Sequence, residues 1–215
     1  MNRRRIFVNA LTFFRVPLIF AWLTLAVAQE YRGGFWYGFW ACAAMLLSGL
    51  TDAFDGALAR RWGVVTPLGK MADPLMDKVF YVVAFPSLTW LAMHQAESDA
   101  HALVLRAFTI LYILRDLWVT FLRSVGTMYG ADVAARWIGK VRTALSFPCA
   151  GWIYLFLAFH PEPNPYCEAC NPPCLAWWLG SCYVFEAFMI ALTLVSAVTY
   201  TTAYLPYLKK ALERN

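Results

Sequence analysis

Hydrophobic and polar positions along the chain fall into long blocks. Each of the six apolar blocks is close to the roughly 20 residues that a helix needs to cross about 30 Å of hydrocarbon. They cover residues 7–28, 35–58, 73–93, 103–124, 141–159 and 175–205. No block alternates strictly between polar and apolar positions, as a membrane β-barrel strand would, and unpaired backbone amides are not tolerated in lipid. The pattern therefore predicts an all-α, polytopic membrane protein with six transmembrane helices.

Composition agrees with this prediction. Hydrophobic residues make up 61% of the chain and charged residues only 14%, whereas a soluble domain has about 25% charged residues. The net charge of +5 is therefore interpreted by its position relative to the bilayer, and no nucleic-acid partner is expected. The first apolar block is long enough to span, so we expect a retained helix and not a cleaved signal peptide. With no domain boundary or repeat, residues 1–215 are predicted to form a single domain.

The basic residues predict the orientation in the membrane. With the N-terminus in the cytoplasm, sixteen Lys and Arg residues fall on the inner side or inner half, and only Arg32 and Arg106 on the outer side. The positive-inside rule then places both termini in the cytoplasm, together with the connection between the second and third helices. We expect a multi-pass protein of the cell (inner or plasma) membrane. His94 and His101 fall in the second outer loop, where solvated side chains are expected.

Four aspartates lie at the predicted inner ends of the second and third helices. Asp52 and Asp55 are spaced i, i+3, and Asp73 and Asp77 are spaced i, i+4, so each pair shares one helical face. A short connection, in which Gly63 and Pro67 suit a turn, is expected to make these helices antiparallel neighbours with the pairs opposed. Carboxylates at a bilayer edge are costly without cations, and oxygen ligands favour Mg²⁺, Mn²⁺ or Ca²⁺ over zinc. The cluster predicts a divalent-metal site that acts on a pyrophosphate.

Structural roles are the alternative for these residues. Asp73 could cap a helix that begins at Pro74, and other aspartates could pair with nearby Lys and Arg side chains. Such roles explain one or two carboxylates but not four on facing surfaces. Gly56 and Ala59, beside the aspartate face, could let a flat ligand approach the backbone or could allow close helix packing. Both interpretations stay open.

The complete spacing in this stretch resembles the signature of the CDP-alcohol phosphotransferases. It reads Asp52-x2-Asp55-Gly56-x2-Ala59-Arg60-x8-Gly69-x3-Asp73-x3-Asp77, with all eight signature positions filled. The resemblance implies a six-helix membrane enzyme that displaces CMP from a CDP-linked donor with an alcohol. It also makes a homodimer plausible. It implies two Mg²⁺ or Mn²⁺ ions held by Asp52, Asp55, Asp73 and Asp77. Asp77 would also be the general base, and CDP would contact Asp52, Gly56, Ala59, Arg60 and Gly69.

Two further stretches are similar to the family's bacterial phosphatidylglycerophosphate synthases. They are Asn9-x-Leu11-Thr12-x-x-Arg15 and, at residues 137–143, W-I-G-K-V-R-T. The similarity implies CDP-diacylglycerol as donor and glycerol 3-phosphate as acceptor, with phosphatidylglycerol or an inositol phosphate as alternative acceptors. Cations near the cytoplasmic face could bind the acceptor phosphate, or could simply follow the positive-inside rule and hold anionic headgroups. They are Arg115, Arg123, Lys140 and Arg142.

A divalent-cation transporter is the alternative from a different class. Transport needs carboxylates near mid-membrane and a path to both sides, whereas these aspartates lie at inner helix ends and no outer cluster faces them. The sequence therefore favours the enzyme, with membrane lipids as its surroundings.

The cysteines fall into two groups. Cys42, Cys149 and Cys182 lie in apolar blocks and are expected to be packed free thiols. The third outer loop carries Cys167, Cys170 and Cys174 downstream of His160. A disulfide, a metal site or free thiols all remain possible there, remote from the aspartates.

Overall fold

A computed structural model describes residues 3–64, 67–95, 99–130, 137–159 and 173–213. Within these ranges the chain forms six α-helices and no strand. They are α1 (Arg3–Arg32), α2 (Phe35–Arg61), α3 (Pro67–His94), α4 (Asp99–Met128), α5 (Trp137–Phe159) and α6 (Pro173–Glu213). The all-α prediction is confirmed, and each helix contains one of the six predicted segments.

Five of these helices are long and apolar enough to cross a membrane. The qualifying stretches are Ile6–Arg32, Phe35–Arg61, Pro74–His94, Trp137–Phe159 and Ala176–Glu213. α4 does not qualify because charged residues interrupt it along its length. Large apolar side chains remain exposed on the helices, for example Leu117 at 62% and Val198 at 63%, as expected where lipid covers the surface.

α1 occupies a central place, because it packs against both α2 and α3. α5 also contacts both of these helices, whereas α2 and α3 are not packed extensively on each other within the described ranges. The prediction that α2 and α3 are direct neighbours stays a prediction, because several side chains at the facing ends of these helices lie outside the described residues. The connection of α1 to α2 is only Gly33 and Gly34, whose φ angles are 67° and 102°, and this tight turn forces those two helices together.

Glycines on α2 fit its actual neighbours. A Cβ at Gly38 would lie 2.7 Å from the amide nitrogen of Gln29 on α1. A Cβ at Gly49 would lie 2.4 Å from the ring of Phe147 on α5. Close approach at small residues is the usual basis of helix packing in lipid.

Gly63 ends α2 with a positive φ of 61°. The Val64 N–H donates to the Ala59 carbonyl at 3.0 Å, and the Gly63 N–H donates to the Arg60 carbonyl at 3.3 Å. These two bonds form a Schellman motif, which stops the helix and satisfies its last carbonyls. The predicted turn at Gly63 is confirmed.

α3 begins earlier than its apolar segment predicts. The helix starts at Pro67 and includes Pro74 in its interior. Asp73 therefore lies inside the helix, and its alternative role as an N-cap is wrong.

Aromatic side chains form the core between α1, α3, α4 and α5. The rings of Trp22 and Tyr154 meet edge-on with centroids 5.4 Å apart. Phe85 contacts Phe108 at 4.8 Å and Tyr112 at 5.0 Å, also edge-on. All five side chains are 2% exposed or less, so this packing holds α1, α3, α4 and α5 in fixed relation.

His101 departs from its expected surroundings. α4 begins at Asp99, so His101 lies in the first turn and is 3% exposed. Its Nε2 is 2.9 Å from Oε1 of Glu186 on α6, a residue with 0% exposure. The prediction of a solvated His101 is wrong because a buried glutamate needs a polar partner. His94 is exposed as expected.

Cys42, Cys149 and Cys182 are free thiols, as predicted. His160, Cys167 and Cys170 lie outside the described residues. Cys174 belongs to the first turn of α6, but its side chain is not described.

Candidate active site

The four signature aspartates lie on α2 and α3, on either side of the connection between these helices. The side chains of Asp52 and Asp73 lie outside the part of the chain that the structure describes. Asp55 is buried with 4% of its side chain exposed, whereas the side chain of Asp77 is 38% exposed. One carboxylate is therefore deep in the bundle, and the other can be reached from outside.

Arg15 of α1 places its guanidinium between these two carboxylates. Its Nη2 is 3.3 Å from Oδ2 of Asp55, and its Nη1 is 3.2 Å from Oδ1 of Asp77. The Thr12 hydroxyl donates to the same Asp55 oxygen at 2.8 Å. Arg15 and Thr12 are only 3% and 2% exposed. Carboxylates from two different helices thus converge on one buried cation.

Two of the signature carboxylates are of the type that binds a divalent metal. Asp55 and Asp77 supply hard oxygen atoms, and both already contact one cation, the Arg15 guanidinium. Within the described residues no group of three or more His, Cys, Asp and Glu side chains could hold a metal ion. Two of the four signature carboxylates fall outside that search, so a complete ligand set needs Asp52 and Asp73.

The remaining signature residues line the end of α2 and the start of α3. A Cβ at Gly56 would lie 3.4 Å from Nη1 of Arg60, and no other helix lies within 4 Å of it among the described residues. Gly56 therefore differs from Gly38 and Gly49, each of which lies against a side chain of another helix. Arg60 is exposed, while Ala59 and Gly69 are half-buried.

A second polar cluster surrounds Asp116 on α4. Its Oδ2 is 3.0 Å from Nζ of Lys78 on α3. Its Oδ1 is 3.2 Å from Nη2 of Arg142 on α5 and 3.7 Å from Nη1 of Arg115. One carboxylate thus meets three cations from three helices. Sequence reasoning did not single out Asp116, although an acidic residue within an apolar block is a functional signal.

Tyr200 of α6 joins this cluster to Arg123. Arg115 and Arg123 lie over the Tyr200 ring with their Cζ atoms 5.1 and 5.4 Å from its centroid. The Arg123 Nη2 donates to the Tyr200 hydroxyl at 3.1 Å, and Arg115 donates to the hydroxyl of Ser196. Three of the four cations predicted to bind an acceptor phosphate are therefore brought together.

Among the described residues, the guanidinium groups of this cluster retain buried nitrogen atoms without hydrogen-bond partners. They are Nε of Arg115, Nε of Arg123, and both Nε and Nη1 of Arg142. Arg142 is 1% exposed and lies over the Tyr112 ring, with its Cζ 3.9 Å from the centroid. Buried donors without acceptors are costly, so the arrangement is suited to an anion with several oxygen atoms.

The comparisons with known proteins agree with this geometry. The family model of CDP-alcohol phosphatidyltransferases matches residues 5–184. The chain belongs to the CDP-alcohol phosphatidyltransferase family. It is 32% identical over 149 residues to the CDP-diacylglycerol–glycerol-3-phosphate 3-phosphatidyltransferase of Escherichia coli (strain K12), covering 66% of this chain and 73% of that protein. The same identity and coverage apply to the enzymes of that description from Shigella flexneri serotype 5b and Shigella boydii serotype 4.

In this transferase of phospholipid synthesis, two residues of α1 contact the signature aspartates and were not predicted as site residues. The Asn9-x-Leu11-Thr12-x-x-Arg15 stretch was noticed as a resemblance, without a role for Thr12 or Arg15. Their i, i+3 spacing already placed both on one face, and a cation inside an apolar block is itself a signal. Their partners, Asp55 and Asp77, could not be predicted from spacing, because these residues lie on other helices.

Lys140 behaves differently from the other three predicted phosphate ligands of the transferase. It is exposed in the first turns of α5, and in the described residues no hydrogen bond or ion pair joins it to the Asp116 cluster. Its neighbour Gly139 has a packing role that the sequence did not reveal. A Cβ there would lie 2.9 Å from the Tyr200 hydroxyl, so glycine lets α5 approach Tyr200.

Proposed function

We propose that this enzyme transfers the phosphatidyl group of CDP-diacylglycerol to glycerol 3-phosphate, giving phosphatidylglycerophosphate and CMP. The observation that carries the proposal is the group of buried, incompletely paired guanidinium nitrogens of Arg115, Arg123 and Arg142. An acceptor with a terminal phosphate supplies the oxygen atoms that these donors lack. An uncharged alcohol would leave them unpaired. The relatives named above act, by their descriptions, on this donor and acceptor.

The position of this cluster next to the aspartates supports the assignment. Asp77 and Lys78 are consecutive residues of α3, and one contacts Arg15 while the other contacts Asp116. The phosphate of a bound acceptor and the aspartates would therefore lie on two sides of the same helical turn. Glycerol 3-phosphate is short, so its hydroxyl can reach one group while its phosphate contacts the other.

Two Mg²⁺ or Mn²⁺ ions are the proposed cofactors. The proposed ligands are Asp52, Asp55, Asp73 and Asp77. When bound, such ions neutralise the pyrophosphate and the departing CMP. The proposed CDP contacts, beside these ligands, are Asp52, Gly56, Ala59, Arg60 and Gly69.

Asp77 is the proposed general base. Its side chain is 38% exposed, whereas that of Asp55 is 4% exposed, so an acceptor hydroxyl can approach Asp77. The carboxylate takes the proton of that hydroxyl as the oxygen attacks the phosphorus atom and CMP leaves. Arg115, Arg123 and Arg142, with Lys140 at the entrance, hold the acceptor phosphate during this step.

In the membrane, α4 is proposed as the sixth span, with both termini and the aspartates on the cytoplasmic side. Its charged residues have partners inside the bundle, since Arg115, Asp116 and Arg123 contact α3, α5 or α6. Intramembrane charges that pair within a bundle are tolerated. The chain forms one domain over residues 1–215, and the family resemblance suggests a homodimer.

The test is CMP release from CDP-diacylglycerol by purified protein with Mg²⁺ or Mn²⁺ and different acceptors. Glycerol 3-phosphate should support release, while glycerol should not, and EDTA should abolish the reaction. Phosphatidylglycerol and inositol 1-phosphate serve as the competing phosphorylated acceptors. Release that depends on one of these instead would overturn the acceptor assignment, and no release with any alcohol would overturn the proposed reaction.

A further inference from the structure

Arg15 is a cation built into the aspartate site. It belongs to α1, which packs against both α2 and α3. Its two terminal nitrogens each contact a carboxylate of a different helix, at 3.3 Å for Asp55 and 3.2 Å for Asp77. With 3% exposure, this guanidinium is shielded from water, so its charge is weakly screened.

The contact between Arg15 and the two carboxylates reduces their electrostatic repulsion. Carboxylates that are close together and partly desolvated repel each other unless a cation lies among them. Arg15 supplies one positive charge to Asp55 and Asp77 from inside the chain. A divalent ion that binds these carboxylates supplies more charge to the same oxygen atoms, and therefore competes with the guanidinium.

Thr12 strengthens the arrangement from the same helical face. Its hydroxyl donates to Oδ2 of Asp55 at 2.8 Å, the oxygen that Arg15 also contacts. α1 therefore fixes which way the Asp55 carboxylate turns, independently of any metal.

We propose that Arg15 is a resident counter-ion, a positioning residue that holds Asp55 and Asp77 together in the metal-free enzyme and lowers the affinity of the site for divalent ions. This inference rests on the metal site of the proposed function. It adds a role for α1, namely that the site keeps its shape between metal-binding events. Arg15 therefore stabilises the metal-free enzyme and weakens metal binding at the same time.

The experiment compares wild type with Arg15→Gln, Arg15→Lys and Thr12→Val in detergent, without substrates. Thermal unfolding in EDTA reports the metal-free enzyme, and loss of the free Mn²⁺ electron paramagnetic resonance signal reports binding. In EDTA, Arg15→Gln should unfold roughly 5 °C below wild type. It should bind Mn²⁺ about tenfold more tightly, since a charge-assisted competitor is gone. Arg3→Gln, an exposed cation on the same helix, is the matched control and should match wild type in both measurements.

The remaining variants separate charge from geometry. Arg15→Lys should lie between wild type and Arg15→Gln, because a lysine keeps the charge but contacts only one carboxylate well. Thr12→Val should lower the unfolding temperature in EDTA with a smaller change in Mn²⁺ affinity. If Arg15→Gln cannot be isolated in EDTA, isolation with saturating Mn²⁺ should rescue it, and failure of that rescue would overturn the inference.

Two results would count against the counter-ion role specifically. Weaker Mn²⁺ binding by Arg15→Gln would mean that Arg15 supports the loaded site, and an unchanged unfolding temperature in EDTA would mean that it stabilises nothing. If wild type still binds Mn²⁺ normally, either of these results overturns only the counter-ion role and not the proposed metal site. Absence of Mn²⁺ binding by every variant would overturn the metal site and this inference together.

Discussion

Asp55 and Asp77 occupy equivalent places in the signature but have different surroundings. Asp55 is buried and shares its Oδ2 between Thr12 and Arg15. Asp77 contacts the same arginine yet keeps more than a third of its side chain exposed. Burial suits a residue that only binds cations, whereas access suits one that must also receive a proton from an incoming hydroxyl.

Replacing Asp77 by Asn should reduce CMP release by about 10²- to 10⁴-fold, because the amide cannot accept the proton. Binding of CDP-diacylglycerol should persist, as measured by its protection against thermal unfolding. Glu213→Gln, an exposed carboxylate at the end of α6, should leave both measurements unchanged. Full turnover by Asp77→Asn would refute its role as base.

Replacing Arg123 by Ala should raise the KM for glycerol 3-phosphate by about tenfold or more, since one charge-assisted hydrogen bond to the phosphate is lost. The KM for CDP-diacylglycerol should change little. Arg106→Ala removes an exposed arginine elsewhere on α4 and serves as the control. Equal effects on both substrates would contradict the acceptor pocket. Lys140→Ala, measured alongside, reports whether the exposed lysine contributes to phosphate binding.

Residue types and spacing predicted much of the chemistry. The aspartate signature could be identified because its members lie on two adjacent stretches of helix, where spacing determines the shared face. Asp116 carried a signal as an acidic residue within an apolar block, but its partners and the role of Tyr200 could not be predicted, because local spacing does not encode contacts with other helices. Arg115, Arg123 and Arg142 lie together, whereas Lys140 is outside their cluster. Hydropathy does not distinguish the clustered cations from the separate one.

At the level of elements, α1 connects α2 to α3 through Arg15, and α3 connects the two polar clusters. Hydropathy located all six helices, because burial in lipid requires long apolar runs in any arrangement. Hydropathy could not predict which helices pack against one another, since an apolar helix surface is equally suited to contact with lipid and to contact with another helix. It depends on local fits such as Gly49 against Phe147 and on the tight turn at Gly33 and Gly34.

Asp116 tests the connection among α3, α4 and α5. Asp116→Asn leaves Lys78 and Arg142 without their carboxylate, and should lower the free energy of unfolding by roughly 3 kcal/mol. Added glycerol 3-phosphate should stabilise this variant more than wild type, because its phosphate supplies the missing negative charge. Thermal unfolding with and without the acceptor measures both effects. Asp116→Glu keeps the charge and should respond like wild type; an equal response of all three proteins would contradict the connection.

For the whole molecule, the number of spans decides where the termini lie. With α4 as a sixth span, tags at the N- and C-termini should both be cleaved by protease in inverted membrane vesicles and in neither case in right-side-out vesicles. With only the five apolar helices crossing, the two tags would respond oppositely. The cleavage pattern of the doubly tagged protein therefore distinguishes these arrangements. It also checks the basis of the positive-inside assignment.

The dependence of α4 on α6 has a consequence for synthesis. α4 is the helix that is not apolar enough by itself, and its His101, Arg115 and Arg123 find partners in Glu186, Ser196 and Tyr200 of α6. A ribosome completes α4 well before it reaches α6. During that interval the nascent α4 carries charges that the bilayer accepts poorly. We expect α4 to be stably inserted only after α6 has been synthesised and has packed against it. A chain that terminates before Pro173 would therefore be recognised and degraded as an unfinished membrane protein.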